Sequence, residues 1–405
     1  MTSFVPVRLR RVYTGSVTGF LGSRWATDRA LSCRGQPPGV EEQNEAAGRA
    51  MNAGQFTLFR EPNSDWEVFV AALVAADRPL AMETDATFAR DIASNRWLLG
   101  VRAADGSAEC CAGLEVSWSR VAPGFRILRA SRLGHGVPAE SLPSLARALA
   151  QVARGARALR LHVELFDPVS SRREIFAAAL KNAGFSLAPN PRSYRRTILV
   201  DLQRSDADLL ASFHSKVRRD IRALGKGGLV SRPITEPVLA ERMNALLAET
   251  MGRTGGQFDA MPWSEWISYV RRQPNRALLL GVFRPERSGP DALVAYILGR
   301  RHGDIVEYTT AASTRSPELK VPLLYAPTWE MMQWARNGGS TCFDFGGVSE
   351  GSLGSGDPRG GITDFKRYFS DNVVEIGTEM MIEPSRIGSF LDSVGTAVRR
   401  IVARS

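Results

Sequence analysis

The order in which strand-like and helix-like periods follow one another limits the fold of this 405-residue chain more than any single motif. Alternating stretches at 97–103, 108–119 and 125–131 read as three strands, with Asp105-Gly106 as a hairpin turn between the first two. Residues 142–156 carry helical spacing, 159–164 is a short apolar strand, and 172–183 is a helix stopped by Gly184. A strand at 194–202 follows. The same order then returns. Helices at 207–226 and 237–250 precede strands at 277–283, 293–300 and 305–311, then a helix at 323–336 and a strand at 341–345. Strands joined by short links pair antiparallel, whereas strand–helix–strand sets two strands parallel. Each half is therefore expected to form a mixed sheet flanked by helices, giving an α/β (α+β) chain of two tandem units. The repeat is one of order and not of visible sequence identity.

Length agrees, since two domains of roughly 150–200 residues suit a chain of this size. The division expected is a weakly ordered extension at 1–55, a first domain at 56–195, a second at 196–385 and a basic helix at 386–405. The extension mixes Gly, Ser, Arg and Pro without sustained periodicity. The first domain opens with a strand at 56–59 and a helix from Ser64 with Asp65 and Glu67 in its first turn. A strand at 373–382 closes the second.

Composition narrows the function. Hydrophobic residues make up 44% and charged residues 23%, an ordinary soluble balance. No apolar run approaches the roughly 20 residues that span a bilayer, and no signal peptide is evident, so a cytoplasmic protein is expected. Cys110 and Cys111 are adjacent while Cys33 and Cys342 stand alone, and no pair has zinc-ligand spacing. His135, His162, His214 and His302 are scattered, which favours structural or surface roles. Neither a metal enzyme nor a G-x-S-x-G hydrolase is expected. The formal charge of +10 suits a polyanionic partner, although a basic proteome would produce the same balance.

Two stretches carry chemistry. At 341–369 a short strand, Cys342-Phe343-Asp344-Phe345, stops at Gly346-Gly347. A loop with seven glycines between Gly346 and Gly361 leads to Phe365-Lys366. Such a loop is either a plain surface connection or one wall of a ligand site that backbone can approach closely. The second stretch is the helix at 207–226. Leu209, Leu210, Phe213, Val217, Ile221 and Leu224 fall within an arc of about 120°. Arg218, Arg219, Arg222 and Lys226 lie opposite, with no acid interleaved. Asp220 falls inside the apolar arc and needs a partner, which Lys216 one turn earlier can supply.

The element order fits GNAT-like domains, and the motifs sharpen that. D-F-G-G, a Gly-rich gap and G-I-x-x-F-K-x-x-F (Asp344 to Phe369) resemble the C-terminal signature of the FemABX aminoacyltransferases. Thr197-Ile-Leu-Val-Asp-Leu202 followed by K-x-R-x-x-I-R resembles the T-x-x-V-D-L … K-x-R-Y-N-I-R run of Fem-type enzymes, with Arg219 and Asp220 replacing Tyr and Asn. Tyr308-Thr-Thr-Ala-Ala-Ser313 and Pro322-Leu-Leu-Tyr325 are similar to a third run. The resemblance covers roughly residues 56–385. No heptad segment interrupts the second half, so the shorter FemX-like layout is the closer comparison.

This resemblance implies two GNAT-like domains and an aminoacyl-tRNA donor, with no cofactor. It also implies a peptide acceptor, nucleotide- or lipid-linked, such as a peptidoglycan precursor or a uridyl peptide. It places Lys366 and Phe365 at the tRNA acceptor end, as the catalytic pair. It assigns Lys216, Arg218, Arg219 and Arg222 to phosphates, Tyr308 and Asp344 to the lining, and Arg90 loosely to the acceptor. Asp344 reads equally well as a strand-end carboxylate bonded to backbone N–H groups. The alternative is a GNAT-related acyltransferase using acyl-CoA or an acyl carrier protein. Against it, 314–322 contains no glycine, two prolines and Glu318 where a pyrophosphate loop would lie.

Overall fold

The computed structural model describes residues 51–52, 56–78, 80–92, 95–118, 126–256 and 258–384. The expected basic helix at 386–405, and all of the expected extension except Met51–Asn52, lie outside the described residues. Two sheets carry the fold. The first contains β1 (Met51–Asn52), β2 (Phe56–Phe59), β3 (Arg96–Arg102), β4 (Ala108–Trp118), β5 (Arg126–Gly134), β6 (Ala158–Phe166) and β7 (Ser186–Leu187). Its helices are α1 (Ser64–Ala75), α2 (Ala86–Asp91), α3 (Leu142–Gly155) and α4 (Ser170–Asn182). The second contains β8 (Arg196–Asp201), β9 (Val230–Pro233), β10 (Ala277–Phe283), β11 (Leu293–His302), β12 (Ile305–Ser313), β13 (Cys342–Gly347) and β14 (Val373–Glu375), in the spatial order β14-β8-β13-β12-β11-β10-β9. With it go α5 (Asp206–Ser212), α6 (Ser215–Lys226), α7 (Ala240–Thr254), α8 (Trp263–Arg272), α9 (Tyr325–Asn337) and α10 (Gly360–Arg367).

Each sheet has one parallel pair among antiparallel ones. In the first, α3 crosses between β5 and β6; in the second, α9 crosses between β12 and β13. These are the two strand–helix–strand steps legible in the sequence. Leu161, Val163 and Leu165 of β6 alternate into a core shared with Leu145 and Leu149 of α3. In the second unit, Trp263, Trp266 and Tyr269 of α8 meet Leu279 and Leu298, and Phe88 of α2 joins this same core.

Two expected elements differ. The helix at 207–226 is broken at Phe213, whose ψ of 150° is extended. The break lets the Phe213 ring enter the core against Trp329 and Phe369, at 5.7 and 5.2 Å. The strand at 373–382 is also two strands. After β14 pairs with β8, the chain turns at Gly377 and Glu379–Ile382 (β15) inserts between β6 and β7 of the first sheet. Gly377 has φ +139°, and a Cβ there would stand 2.6 Å from the Leu165 carbonyl oxygen. The helices α8 and α10 and the edge strand β9 have no counterpart in the sequence reading.

Candidate active site

The parallel pair β12/β13 holds together only where Ile305–Glu307 faces Cys342–Asp344. Beyond that point the strands part. In the first sheet β5 and β6 stay paired out to Gly134 and Phe166, past a bulge between Ala130 and Leu133. Only the second sheet opens. Tyr308 of β12 and Phe345 of β13 line the opening, with rings 5.7 Å apart. Phe365 of α10 fills it from below, 5.0 Å from Tyr325 at the start of α9 and 6.3 Å from Tyr308. Lys366 follows, buried, and its Nζ donates to the Gly347 carbonyl at 2.6 Å.

Burial pushes the Lys366 ammonium down to about 8, against the pull of Asp344 and Glu307. Asp344 is fully buried where the β12/β13 pairing ends. It accepts from the Gly346 N–H at 2.8 Å, from Arg132 Nη1 at 2.9 Å and from the Thr197 hydroxyl. Gly346 adopts φ +70°, and the Tyr194 ring lies on Gly347 so closely that a Cβ there would come within 2.5 Å of it. Two glycines in sequence thus seat a tyrosine and expose one carbonyl to Lys366.

Arg132 comes from the bulge in β5, at φ +55°, and crosses to the second sheet. Besides Asp344 it donates to Glu307 at 3.2 Å, and its guanidinium lies 3.7 Å over the Phe166 ring. Burial works against its charge, but Glu307 and Asp344 hold it firmly protonated. Glu307 also takes Arg300 at 2.5 Å, and Arg300 reaches Glu83 at 3.3 Å. Burial opposes ionisation of Glu83 too, yet His302 and Arg300 hold it well below the usual carboxylate range. A chain of alternating buried charges therefore runs from residues 83 and 132 into the wall of the opening. The histidines have partners as well: His302 meets Glu83 and Glu307, His162 meets Glu379, His135 meets Asp304, and His214 caps α6.

Of the residues singled out from sequence, Lys366, Phe365, Tyr308 and Asp344 come together here. Lys216 joins them at the edge, its Nζ 5.3 Å from the Tyr325 ring centre and 2.9 Å from Asp220. Arg219 also pairs with Asp220, at 3.1 Å. Arg218 turns back to donate to the Ala211 and Phe213 carbonyls at 3.0 and 2.5 Å, closing the break before α6. Arg222 is exposed and makes no hydrogen bond or ion pair among the described residues. Arg90 is exposed on α2, and nothing among the described residues joins it to the opening. Arg132, Tyr194 and Glu307 were not singled out, and Thr197 only as the first residue of a motif. The carboxylates that hold Arg132 lie 175 and 212 residues away along the chain, and no local pattern announces such a pairing.

No family model matches the chain, and no curated protein matches its sequence. Its similarity is to solved structures. The crystal structure of FemX superposes with a TM-score of 0.60 at 16% identity, covering 80% of this chain and 96% of that one. The C-terminal domain of a putative lysylphosphatidylglycerol synthetase from Agrobacterium fabrum gives 0.49 at 12% identity, covering 82% and 97%. A tandem GNAT protein from the clavulanic acid biosynthesis pathway gives 0.48 at 14%, covering 82% and 98%. Two sheets, each crossed by one helix between its one parallel pair, and the superposition on FemX give this chain a FemX-type fold of two tandem mixed-sheet units.

Proposed function

We propose that the protein is an aminoacyl-tRNA-dependent aminoacyltransferase. It would join an amino acid carried on tRNA to the amine of a peptide acceptor, either a peptidoglycan precursor or a peptide-antibiotic intermediate such as a uridyl peptide. The observation that carries this reading is Lys366, a buried cation on a backbone carbonyl at the open end of β12/β13, behind a wall of aromatic rings. An aminoacyl ester is already activated, so no enzyme nucleophile is needed. The site has to align amine and ester and stabilise the oxyanion that forms. Lys366 is placed to meet that charge, and Phe365 and Tyr308 to hold the acceptor end of the tRNA by stacking. The exposed cations Arg219 and Arg222 suit phosphates. In this reading the unit built on the first sheet, 56–195 together with Glu379–Ile382, presents the acceptor, and the unit built on the second sheet the donor.

An acyl-CoA donor would need free N–H groups at the start of α9. Pro322 and Pro327 remove donors there, and Glu318 stands in the approach, paired with Arg284 at 2.8 Å. The test is transfer of a labelled amino acid from charged tRNA to candidate peptides. Transfer that ribonuclease abolishes is expected; transfer that survives it, or that needs acyl-CoA, would move the protein to the acyl-CoA class.

A further inference from the structure

Arg132 owes its direction to a break in strand period. Ala130 and Leu133 of β5 both pack in the helix-covered core, three residues apart, where regular alternation would bring in every second residue. The bulge between them absorbs the extra residue, and Arg132 takes φ +55°. A left-handed backbone costs free energy at an arginine, and it persists only where the surroundings hold it. The result is a guanidinium turned out of its own sheet. It passes over the Phe166 ring, which packs on Ile305 and Cys342 at the start of the parallel pair, and reaches the second sheet.

What it reaches is the turn that holds Lys366. Arg132 Nη1 donates to Asp344 Oδ2 at 2.9 Å. The other oxygen of that carboxylate, Oδ1, accepts from the Gly346 N–H at 2.8 Å and from the Thr197 hydroxyl. That hydroxyl also lies 2.8 Å from the Gly346 carbonyl oxygen. Gly347 follows, and its carbonyl accepts from Lys366 Nζ at 2.6 Å. The Tyr194 ring lies on Gly347, and the Tyr194 hydroxyl stands 3.5 Å from the same Arg132 Nη1. An unbroken series of contacts thus runs from the β5 bulge to the lysine. An arginine between two buried carboxylates can do no more than neutralise them, but two observations point past that. Glu307, its second carboxylate, already has Arg300 at 2.5 Å and His302 at 3.3 Å inside the second sheet. And the Asp344 carboxylate is held at both oxygens, by Arg132 on one and by the turn on the other. Bonds at both ends fix the plane of a carboxylate, and with it the turn that it braces.

We propose that Arg132 is a positioning residue for Lys366: from the first sheet it clamps the Asp344–Gly347 turn, so that the Gly347 carbonyl holds the ammonium in place, and it keeps Asp344 and Glu307 from capturing that ammonium. This role rests on the aminoacyl-transfer reading, in which Lys366 meets the oxyanion. An ammonium drawn onto a carboxylate is withdrawn from an oxyanion, since both compete for the same N–H groups. A displacement of about 1 Å at a reacting centre loses on the order of 10² in rate. The lysine of the second sheet is therefore set only when the first sheet is docked against it. Burial and Arg359, ahead of α10, act against the Lys366 charge, while Asp344 on β13 and Glu307 on β12 favour it. Arg132 from β5 and Tyr194, between β7 and β8, complete the charged and titratable groups at the turn.

The test compares Arg132→Lys, Arg132→Met and a double variant that joins Arg132→Met to Asp344→Asn. The first readout needs no substrate. The chain has five lysines, few enough to resolve by carbon NMR of lysine-labelled protein, with Lys366→Met giving the assignment. The wild-type Lys366 signal should titrate at about 8. In R132M the two carboxylates act on the ammonium unopposed, so the midpoint should move up by about 1, while R132K stays near wild type. An unmoved midpoint in folded R132M overturns the proposal. The second readout is single-turnover transfer with the acceptor varied. R132M should lose about 10²-fold in the rate at saturation, with the half-saturating acceptor concentration little changed, and R132K should recover most of the rate. A change confined to the half-saturating concentration would make Arg132 a binding residue and overturn the proposal. The double variant separates positioning from stability. Removing both ends of a buried pair costs far less than removing one, so it should melt closer to wild type than R132M does. Its transfer should stay as low as that of R132M, because the asparagine still takes the Gly346 N–H but nothing ties the turn to the first sheet. Transfer that recovers together with the melting temperature would show a structural role only and overturn the proposal; should R132M not fold, this comparison with wild type decides. If the Lys366 midpoint moves as stated but no charged tRNA supports transfer, the positioning of Lys366 stands and the donor reading falls.

Discussion

Lys366 combines burial with a charge the proposed reaction needs, and its predictions belong to the single residue. Lys366→Met should lower single-turnover transfer by on the order of 10²–10³, the usual cost of one oxyanion donor, with acceptor binding little changed. Near-normal transfer by the Met variant would remove Lys366 from the chemistry. Arginine should rescue poorly, because its planar fork is larger and spreads the charge. The pH dependence has a definite sign. The cation is present below about 8 and lost above it, so transfer should fall as pH rises through that value. Gly347 supports the lysine from the other side. Gly347→Ala pushes a methyl into the Tyr194 ring, and overpacking of this kind costs roughly 1–3 kcal/mol. Transfer and melting temperature should fall together in that variant.

At the scale of elements, α6 divides its arginines between two tasks. Arg218 spans the break between α5 and α6 through two carbonyls, while Arg222 faces solvent. Arg218→Ala should therefore lower stability by about 1–3 kcal/mol, since charged hydrogen bonds are lost. Arg222→Ala should leave the melting temperature alone, weaken tRNA binding, and reduce the slope of log affinity against log salt by about 1. The reverse pattern, with Arg222 stabilising and Arg218 silent in melting, would exchange their roles. The loop before α10 is built, and not merely permissive. Gly351 N–H donates to Asp357 and Leu353 N–H to Asp364, so its glycines sit among short internal bonds.

Across the whole molecule, two features tie the sheets together. β15 arrives from the second sheet and completes the first between β6 and β7. Arg132 leaves the first sheet and is neutralised inside the second. A chain ending at residue 375 should accordingly expose the β6 edge, aggregate, and lose cooperative melting of both sheets, as differential scanning calorimetry would show. Asp344→Ala leaves the buried Arg132 with one carboxylate fewer. Removing one partner of a buried pair usually costs about 3–5 kcal/mol. A single transition at lower temperature is expected in chemical denaturation.

Much of this architecture was legible before any coordinates. Period and turn residues marked the strands and both crossing helices, because alternation and 3.6-residue spacing are local consequences of burying one face. The Asp344–Gly347 and Phe365–Lys366 motifs were legible too, as was the Lys216–Asp220 pair, since one helical turn brings them together. Asp344 accepts from a nearby backbone N–H, that of Gly346, and is also the partner of a distant arginine. What local pattern could not supply was the break at Phe213, the return of β15 to the first sheet, and the Arg132 environment. Each depends on groups far apart in the chain. A ring that must reach a core, an edge that needs a strand, and a charge that needs an opposite one are satisfied only when both sheets are in place.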